Sequence, residues 1–516
     1  MGLRLNAGEA VLTPALAAGH GEDIAIVSGD LELSYVALDR MARRAGNAFA
    51  TLGIGRGDRV LLLMRDTPVF AAAYLGALMR GAVAVALNTR STPEALAHVF
   101  ADSGARLLLT EATLLPLVEQ IPASQRQSLA VVVTGDAPPG TASWDVAAAR
   151  ASEELSAADT AAEEPAFWIY SSGTTGVPKA IIHAHRDVLP TGQVLTEVLG
   201  LGRGTRVLAT SKLFFAYALD NGFLGALRVG ATVVMQPDWP DPAAVIDLME
   251  RTRVDVLFSV PTFYRRLLAE PAGQLGHLGA ISHFISAGEA VPEEFDRRWR
   301  AITGRPILQI YGTSETFCVA MAMSPQAVVP GSVGRPLPGV RTRLLDDAGG
   351  EVPPGVTGLL WIKHPALAQG YWQRPELTRE CFQAGWFNTR DCFSVDADGY
   401  WYHQGRDDEM LKIAGQWVGP AEVEALLLTL PGVADAACVA VPDPDGFPRL
   451  VGFLVAAEPA AALRAARVAC DERLPRHKRP RWIRSIGRLP RTVTGKVQRF
   501  KLREQFLAER ASDADR

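Results

Sequence analysis

Short apolar runs alternate with stretches of helical spacing through most of the first 340 residues, and nothing else in the chain limits its fold so tightly. Strand-like runs fall at 59–64, 82–87, 106–109, 130–133, 232–235 and 254–258, with helical stretches such as 35–52 and 242–251 between them. Parallel strands need long crossovers, usually helices, so this alternation predicts α/β layers with largely parallel sheets. The most apolar stretch, 70–87, is broken by Arg80 and reads as a helix followed by a buried strand, not as a membrane span. Residues 135–164, rich in Ala, Gly, Pro and acids, read as a surface excursion. From about Ser332 the texture changes to short strands at 340–345 and 358–362 and a turn at Asp396-Ala397-Asp398-Gly399, which predicts a small β-rich subdomain. Beyond Asp408 lies a tail of about a hundred residues, long enough for a core of its own. The expected division is a large N-terminal domain over 1–407 and a small α+β C-terminal domain over 408–516.

A length of 516 residues, with 48% hydrophobic and 21% charged residues, is that of a multi-domain globular protein. The net charge of −4 gives no electrostatic case for nucleic acid or an anionic membrane. One basic run, Arg473, Arg476, Lys478, Arg479, Arg481 and Arg484 around Trp482, reads either as a solvated face or as a docking site for a phosphorylated ligand. Five scattered cysteines without a C-x-x-C pair, no basic-then-apolar leader and no lipidation or peroxisomal tail predict a reducing, cytoplasmic location.

The chemistry concentrates in Tyr170-Ser171-Ser172-Gly173-Thr174-Thr175-Gly176-Val177-Pro178-Lys179, which follows the apolar run Phe167-Trp168-Ile169-Tyr170. Glycines let backbone N–H groups converge on phosphate oxygens, hydroxyls add donors and the lysine offsets charge. A Walker loop is excluded, because Pro178 precedes Lys179 and Ala180 follows it. Downstream, Tyr311-Gly312-Thr313-Ser314-Glu315 follows the strand-like 306–310, and a carboxylate just past a strand end suits Mg²⁺ on phosphate oxygens. Thr389-Arg390-Asp391 and Gly405-Arg406-Asp407-Asp408 offer carboxylates for a ribose diol and arginines for phosphate. Near the C-terminus, Leu489-Pro490-Arg491-Thr492-Val493-Thr494-Gly495-Lys496 sets a lysine on a glycine turn. Taken singly, each segment is ordinarily a surface turn.

These four segments, in this order, resemble the acyl- and aryl-CoA synthetases of the adenylate-forming superfamily, over roughly residues 20–506. Lys212-Leu213-Phe214-Phe215-Ala216-Tyr217, Leu411-Lys412-Ile413-Ala414-Gly415-Gln416-Trp417-Val418 and Lys496-Val497-Gln498-Arg499 look most like benzoate-CoA ligases. The resemblance implies an enzyme using ATP, Mg²⁺ and CoA to join an aryl acid to CoA through an acyl-adenylate. It implies that Ser171, Ser172, Gly173, Thr174, Thr175, Gly176 and Lys179 hold the β,γ-phosphates. Ser286, Ala287, Gly288 and Glu289 would bracket adenine with Tyr311, beside Gly312 and Thr313. Glu315 and Thr175 would hold Mg²⁺, and Asp391 would grip ribose with Arg406 nearby. Lys496 would contact the substrate carboxylate and α-phosphate, Asp408 would be the hinge of a rotating C-terminal domain, and Lys412, Gly415, Trp417 and Arg479 would face CoA. The acid itself would lie against Phe214, Phe215, Ala216, Tyr217, Ala287, Gly312 and Cys318.

The chain departs from the family pattern at Ala180 and Arg390, both usually glycine, at Glu409 in the hinge, and at Cys318, where benzoate ligases tend to carry histidine. Ala216 stands where amino-acid-activating relatives carry aspartate, and Asp220 lies off that pattern. Alternatives to benzoate or a substituted benzoate are an alicyclic or medium-chain acid, or loading of a separate carrier protein. A homodimer is a further expectation. A luciferase-like oxygenase and a non-catalytic nucleotide binder are disfavoured by the aryl-type wall and by Lys179, Glu315, Asp391 and Lys496 being present together. His183 and His185 are expected to be structural, for want of a third ligand nearby, and Asp443-Pro444-Asp445-Gly446 reads as a turn, since Leu454 occupies the closing position of a calcium loop.

Overall fold

The computed structural model describes residues 3–172, 178–407, 411–413, 416–443, 448–491 and 497–514. Among them, one sheet has eight strands in the order Gly370–Tyr371, Pro178–Ala184, Pro165–Ser172, Val83–Ala86, Arg59–Leu63, Leu107–Glu111, Ala130–Thr134 and Ala142–Ser143. A second runs Arg335–Pro336, Met321–Ala322, Ile307–Tyr311, His283–Ser286, Val256–Ser259, Arg206–Ala209, Thr232–Val234, Ile24–Ser28 and Leu31–Ser34. Their central strands pair in parallel and are apolar on both faces, as expected of strands covered by helices on each side. One cluster of buried side chains takes Leu62 and Phe167 from the first sheet and Val207 and Phe258 from the second, so the two share a core.

Helices Tyr35–Thr51 and Pro68–Met79 fill part of that core. The first starts where the Ser34 hydroxyl accepts the Ala37 N–H, and buries Tyr35, Leu38, Ala42, Ala45 and Phe49 at helical spacing. The two helices meet at glycines: a Cβ on Gly76 would lie 2.5 Å from the Ala42 carbonyl oxygen. Residues 135–164 run mostly over the surface, as expected, but are pinned to the core at a few points. Their helix Trp144–Arg150 buries Trp144 against Phe49, with ring centroids 4.8 Å apart, and Asn47 donates to the Ser152 and Glu154 carbonyls. A buried indole outweighs the polar composition around it.

The β-rich subdomain is an antiparallel sheet of Arg341–Leu345, Gly358–Lys363, Trp386–Val395, Phe382–Gln383 and Trp401–Arg406. In the C-terminal part, Val433–Pro442 and Pro448–Ala456 pair antiparallel, and Trp482–Ser485 joins in parallel. One face of this sheet packs with helices Pro420–Leu428 and Pro459–Arg473, the other with Arg499–Ala514. The chain therefore has a large α/β part and a small α+β part with separate apolar clusters. No helix among the described residues is long and apolar enough to cross a membrane.

Candidate active site

Three of the segments singled out in the sequence meet Ser172, Ser286 and Tyr311, the carboxyl ends of strands that pair in parallel, where open α/β sheets place ligands; Asp391 and Arg406 lie on an antiparallel pair. Pro165–Ser172 and Pro178–Ala184 form an antiparallel pair that sets Ser171 opposite Lys179 and Tyr170 opposite Ala180. Ala180 is in ordinary strand pairing, so the missing glycine costs nothing there. Gly173, Thr174, Thr175 and Gly176 lie outside the described residues, as do Asp408, Gly415 and Lys496.

Lys179 reaches Glu315, with Nζ 3.7 Å from Oε1, and the same oxygen accepts the Tyr371 hydroxyl at 2.8 Å. The ammonium also sits 3.8 Å from the centroid of the Tyr371 ring. Strand pairing explains this triangle: Tyr371 lies opposite Ile181 on the edge of the strand that carries Lys179. Burial lowers the Lys179 pKa and the Glu315 charge opposes that shift; burial and the same carboxylate raise that of Tyr371. Oε2 of Glu315 has no hydrogen-bond partner among the described residues, which fits one further hard ligand such as Mg²⁺ on a polyphosphate. No group of three His, Cys, Asp or Glu side chains able to hold a metal ion occurs among the described residues.

His183, further along the same strand, donates or accepts on both sides of its ring. Nδ1 is 3.0 Å from Asp187 Oδ2 and Nε2 is 2.9 Å from the Ser314 carbonyl, next to Glu315. The ring is fully buried and stacked on Phe167. His185 is equally buried, its Nδ1 accepting the Ala7 N–H at 3.0 Å. Both therefore serve structure, as expected, but His183 also fixes the turn that carries Glu315.

Asp391 and Arg406 face each other across paired strands, 3.2 Å apart. The Tyr311 hydroxyl donates to Asp391 Oδ2 at 2.5 Å and His403 Nε2 lies 3.5 Å from Oδ1. Burial alone would raise the Asp391 carboxyl, but His403, Arg406 and Tyr311 together hold it below its usual range. Arg390 adopts φ +59°, a left-handed conformation that costs a non-glycine residue roughly 1–2 kcal/mol. Its N–H to Asn388 Oδ1, its ion pair with Glu380 and the Asp407 N–H on its carbonyl hold it there.

The Ser286 hydroxyl, at the end of its strand, is buried and finds no partner among the described residues, whereas Gly288 and Glu289 are exposed. Tyr217 donates to the Ser259 and Ile285 carbonyls, both at 3.1 Å, which ties the proposed acid wall to the same strand ends. Phe214 and Phe215 lie with ring centroids 4.1 Å apart, and Phe214 leans toward Trp239. Lys212, buried, anchors this wall through Asp66 at 3.4 Å and the Gln236 and Pro237 carbonyls. Gly312 packs over the Cys318 carbonyl, and the buried Cys318 thiol points to the Asp187 carbonyl at 3.8 Å. Lys412 pairs across a short hairpin with Trp417. Arg479 is used internally, by the Leu474 carbonyl and Asp471, and Arg481 pairs with buried Asp443, so the basic run is neither simply solvated nor wholly free.

Tyr371 and His403 were not foreseen. Neither stands in a motif of its own; Tyr371 reaches the site through strand pairing across a long separation in the chain, and His403 from the strand next to that of Asp391.

The site thus brings a lysine–carboxylate–tyrosine triangle and a buried carboxylate held by Tyr311, His403 and Arg406 to an α/β scaffold. Residues 14–372 match the family model of the AMP-binding enzyme and residues 422–496 that of the AMP-binding enzyme C-terminal domain. The chain belongs to the AMP-binding enzyme family. It is 42% identical over 511 residues, 98% of each chain, to a 3-hydroxybenzoate–CoA ligase of Aromatoleum sp. (strain CIB). It is 37% identical to a benzoate–CoA ligase of Thauera aromatica, covering 97% of this chain and 96% of that one. Among solved structures, the anthranilate CoA ligase AuaEII in complex with anthranoyl-AMP superposes with a TM-score of 0.92 at 34% identity, covering 99% of each chain.

Proposed function

We propose that this chain is an ATP-dependent aryl-carboxylate:CoA ligase. The observation that carries it is the partly buried Lys179–Glu315–Tyr371 triangle, whose lysine sits on the strand that follows the glycine- and hydroxyl-rich loop. A carboxylate is a poor acyl donor. In the first step its oxygen attacks the α-phosphorus of ATP, and the bond to pyrophosphate breaks. In the second, the CoA thiolate attacks the carbonyl carbon of the acyl-adenylate and AMP leaves, giving the aryl thioester.

Lys179 would hold the β,γ-phosphates, and a cation relieved of water interacts with them strongly. Mg²⁺, held by Glu315 and phosphate oxygens, would offset charge developing on the departing pyrophosphate. Asp391, kept ionised by His403 and Arg406, suits the donors of a ribose diol. Ser286, with its unspent hydroxyl, suits the base or the acid beside it. Lys496 and the hinge at Asp408 rest on the resemblance, which gives them the first half-reaction and the rotation between the two. The division at residues 407 and 408 is proposed on the same ground. Free CoA is the proposed acceptor, and the cytoplasm, which holds both ATP and CoA, the proposed location.

Pyrophosphate release measured with ATP and Mg²⁺ over a panel of carboxylic acids, with and without CoA, tests the reading. A response peaking on an aryl acid and yielding its CoA thioester is expected. A response peaking on a medium-chain or alicyclic acid would replace the substrate class, and adenylate formation without thioester would point to a carrier protein.

A further inference from the structure

The helical run behind the acid wall is irregular. Ala216–Leu219 is α, Asp220–Leu224 is a π turn and Gly225–Arg228 returns to α. Such π segments inside helices occur frequently at functional sites. Asp220 opens this one, a turn beyond Ala216 and Tyr217, and so continues the wall inward. From the opposite side, Cys318 and Val319 follow Glu315 by three and four residues and close the same space; the Asp220 charge is felt at the Cys318 thiol, and the Val319 N–H donates to the Asp220 carboxylate.

Asp220 is 2% exposed. Its other donor is the Gly192 N–H, at 3.4 Å from Oδ1, and no lysine, arginine or histidine pairs with it among the described residues. A carboxylate has about four acceptor positions, so two weak backbone donors leave it short. Burial pushes its pKa up to about 7. Two other polar atoms of the same neighbourhood in sequence, Arg228 Nε on this run and Gln193 Oε1 beside Gly192, are buried without a hydrogen-bond partner among the described residues. Unfilled polar capacity at the end of an aromatic wall is costly unless a ligand supplies what is missing. An unsubstituted ring would supply nothing.

We infer that Asp220 is a specificity-determining residue whose carboxylate accepts a hydrogen bond from a hydroxyl or amino group on the ring of the aryl acid. This rests on the ligase reading above and narrows its substrate to donor-bearing benzoates. In the proposed reaction the acid's carboxylate attacks the α-phosphorus of ATP, so the ring edge away from the nucleotide is the one left to meet Asp220.

The test compares kcat/KM for benzoate with that for the 2-, 3- and 4-hydroxy- and aminobenzoates, in the natural protein and in Asp220→Ala and Asp220→Asn. A hydrogen bond to a charged group is worth roughly 1.5–3 kcal/mol, so one donor-bearing isomer should exceed benzoate by about 10- to 100-fold. In Asp220→Ala that ratio should fall to within about threefold, chiefly through a higher KM for the donor-bearing acid, with Asp220→Asn between the two. A natural protein that activates aryl acids but favours benzoate over every donor-bearing isomer overturns the inference without any variant. An unchanged ratio in either folded variant also overturns it. Activity toward no aryl acid would overturn the ligase reading itself, and this inference with it.

Discussion

Tyr371→Phe removes a single oxygen from the centre of the proposed site. The ring stays, so the Lys179 ammonium keeps its aromatic contact at 3.8 Å and the packing against Phe382 survives. What is lost is the 2.8 Å hydrogen bond to Glu315 Oε1. Hydrogen bonds to ionised groups contribute roughly 1.5–3 kcal/mol. Here the same oxygen keeps Lys179 at 3.7 Å, which argues for the lower end, about 1.5 kcal/mol. If Glu315 must be held in one orientation to carry Mg²⁺ against the phosphates, pyrophosphate release should fall about tenfold, because each 1.4 kcal/mol is a factor of ten. The Mg²⁺ concentration giving half-maximal rate should rise as well, while the unfolding midpoint moves by no more than about 2–4 °C. Tyr371→Ala, which also deletes a nearly buried ring, should cost about 3–5 kcal/mol of stability. Pyrophosphate release across a Mg²⁺ titration, with thermal unfolding alongside, checks both variants. Wild-type rates and an unmoved Mg²⁺ midpoint in Tyr371→Phe would refute the role given to this triangle.

Three further outcomes are expected. His183→Ala, which frees the Ser314 carbonyl beside Glu315, should slow pyrophosphate release about tenfold and weaken its Mg²⁺ dependence, and His183→Gln, whose amide can still donate, should recover part of both. If Lys496 serves adenylation alone, Lys496→Ala should stop pyrophosphate release yet still convert supplied aryl-adenylate to thioester; Asp408→Pro, which restricts the hinge, should do the reverse. Burial holds the His185 pKa at about 4 against 6.5, and its Nδ1 is occupied by the Ala7 N–H, so between those values the folded state binds fewer protons than the unfolded one. Stability should therefore decline as pH falls from 6.5 towards 4, by roughly 3 kcal/mol from this residue, and His185→Gln should shrink that decline in denaturant titrations.

Much of the architecture could be read directly from the residues. Runs such as 59–64 and 254–258 appear as Arg59–Leu63 and Val256–Ser259, displaced by a residue or two at their ends. Strand ends are set by pairing partners, which a linear reading does not contain. The excursion at 135–164 does run over the surface, but its anchor was not legible: composition averages over a segment, while one buried side chain, Trp144, decides where it packs.

The family and the two-part build followed from sequence alone, because the motifs that carry them are local runs of glycine, hydroxyl and charged residues. Tertiary structure alone decided which groups share an atom. Glu315 Oε1 serves both Lys179 and Tyr371, Asp391 is shared by Tyr311, His403 and Arg406, and Asp220 is left with spare capacity behind the aromatic wall. Those outcomes depend on pairing between strands and helices remote in the chain, and burial there changes what each charge can do.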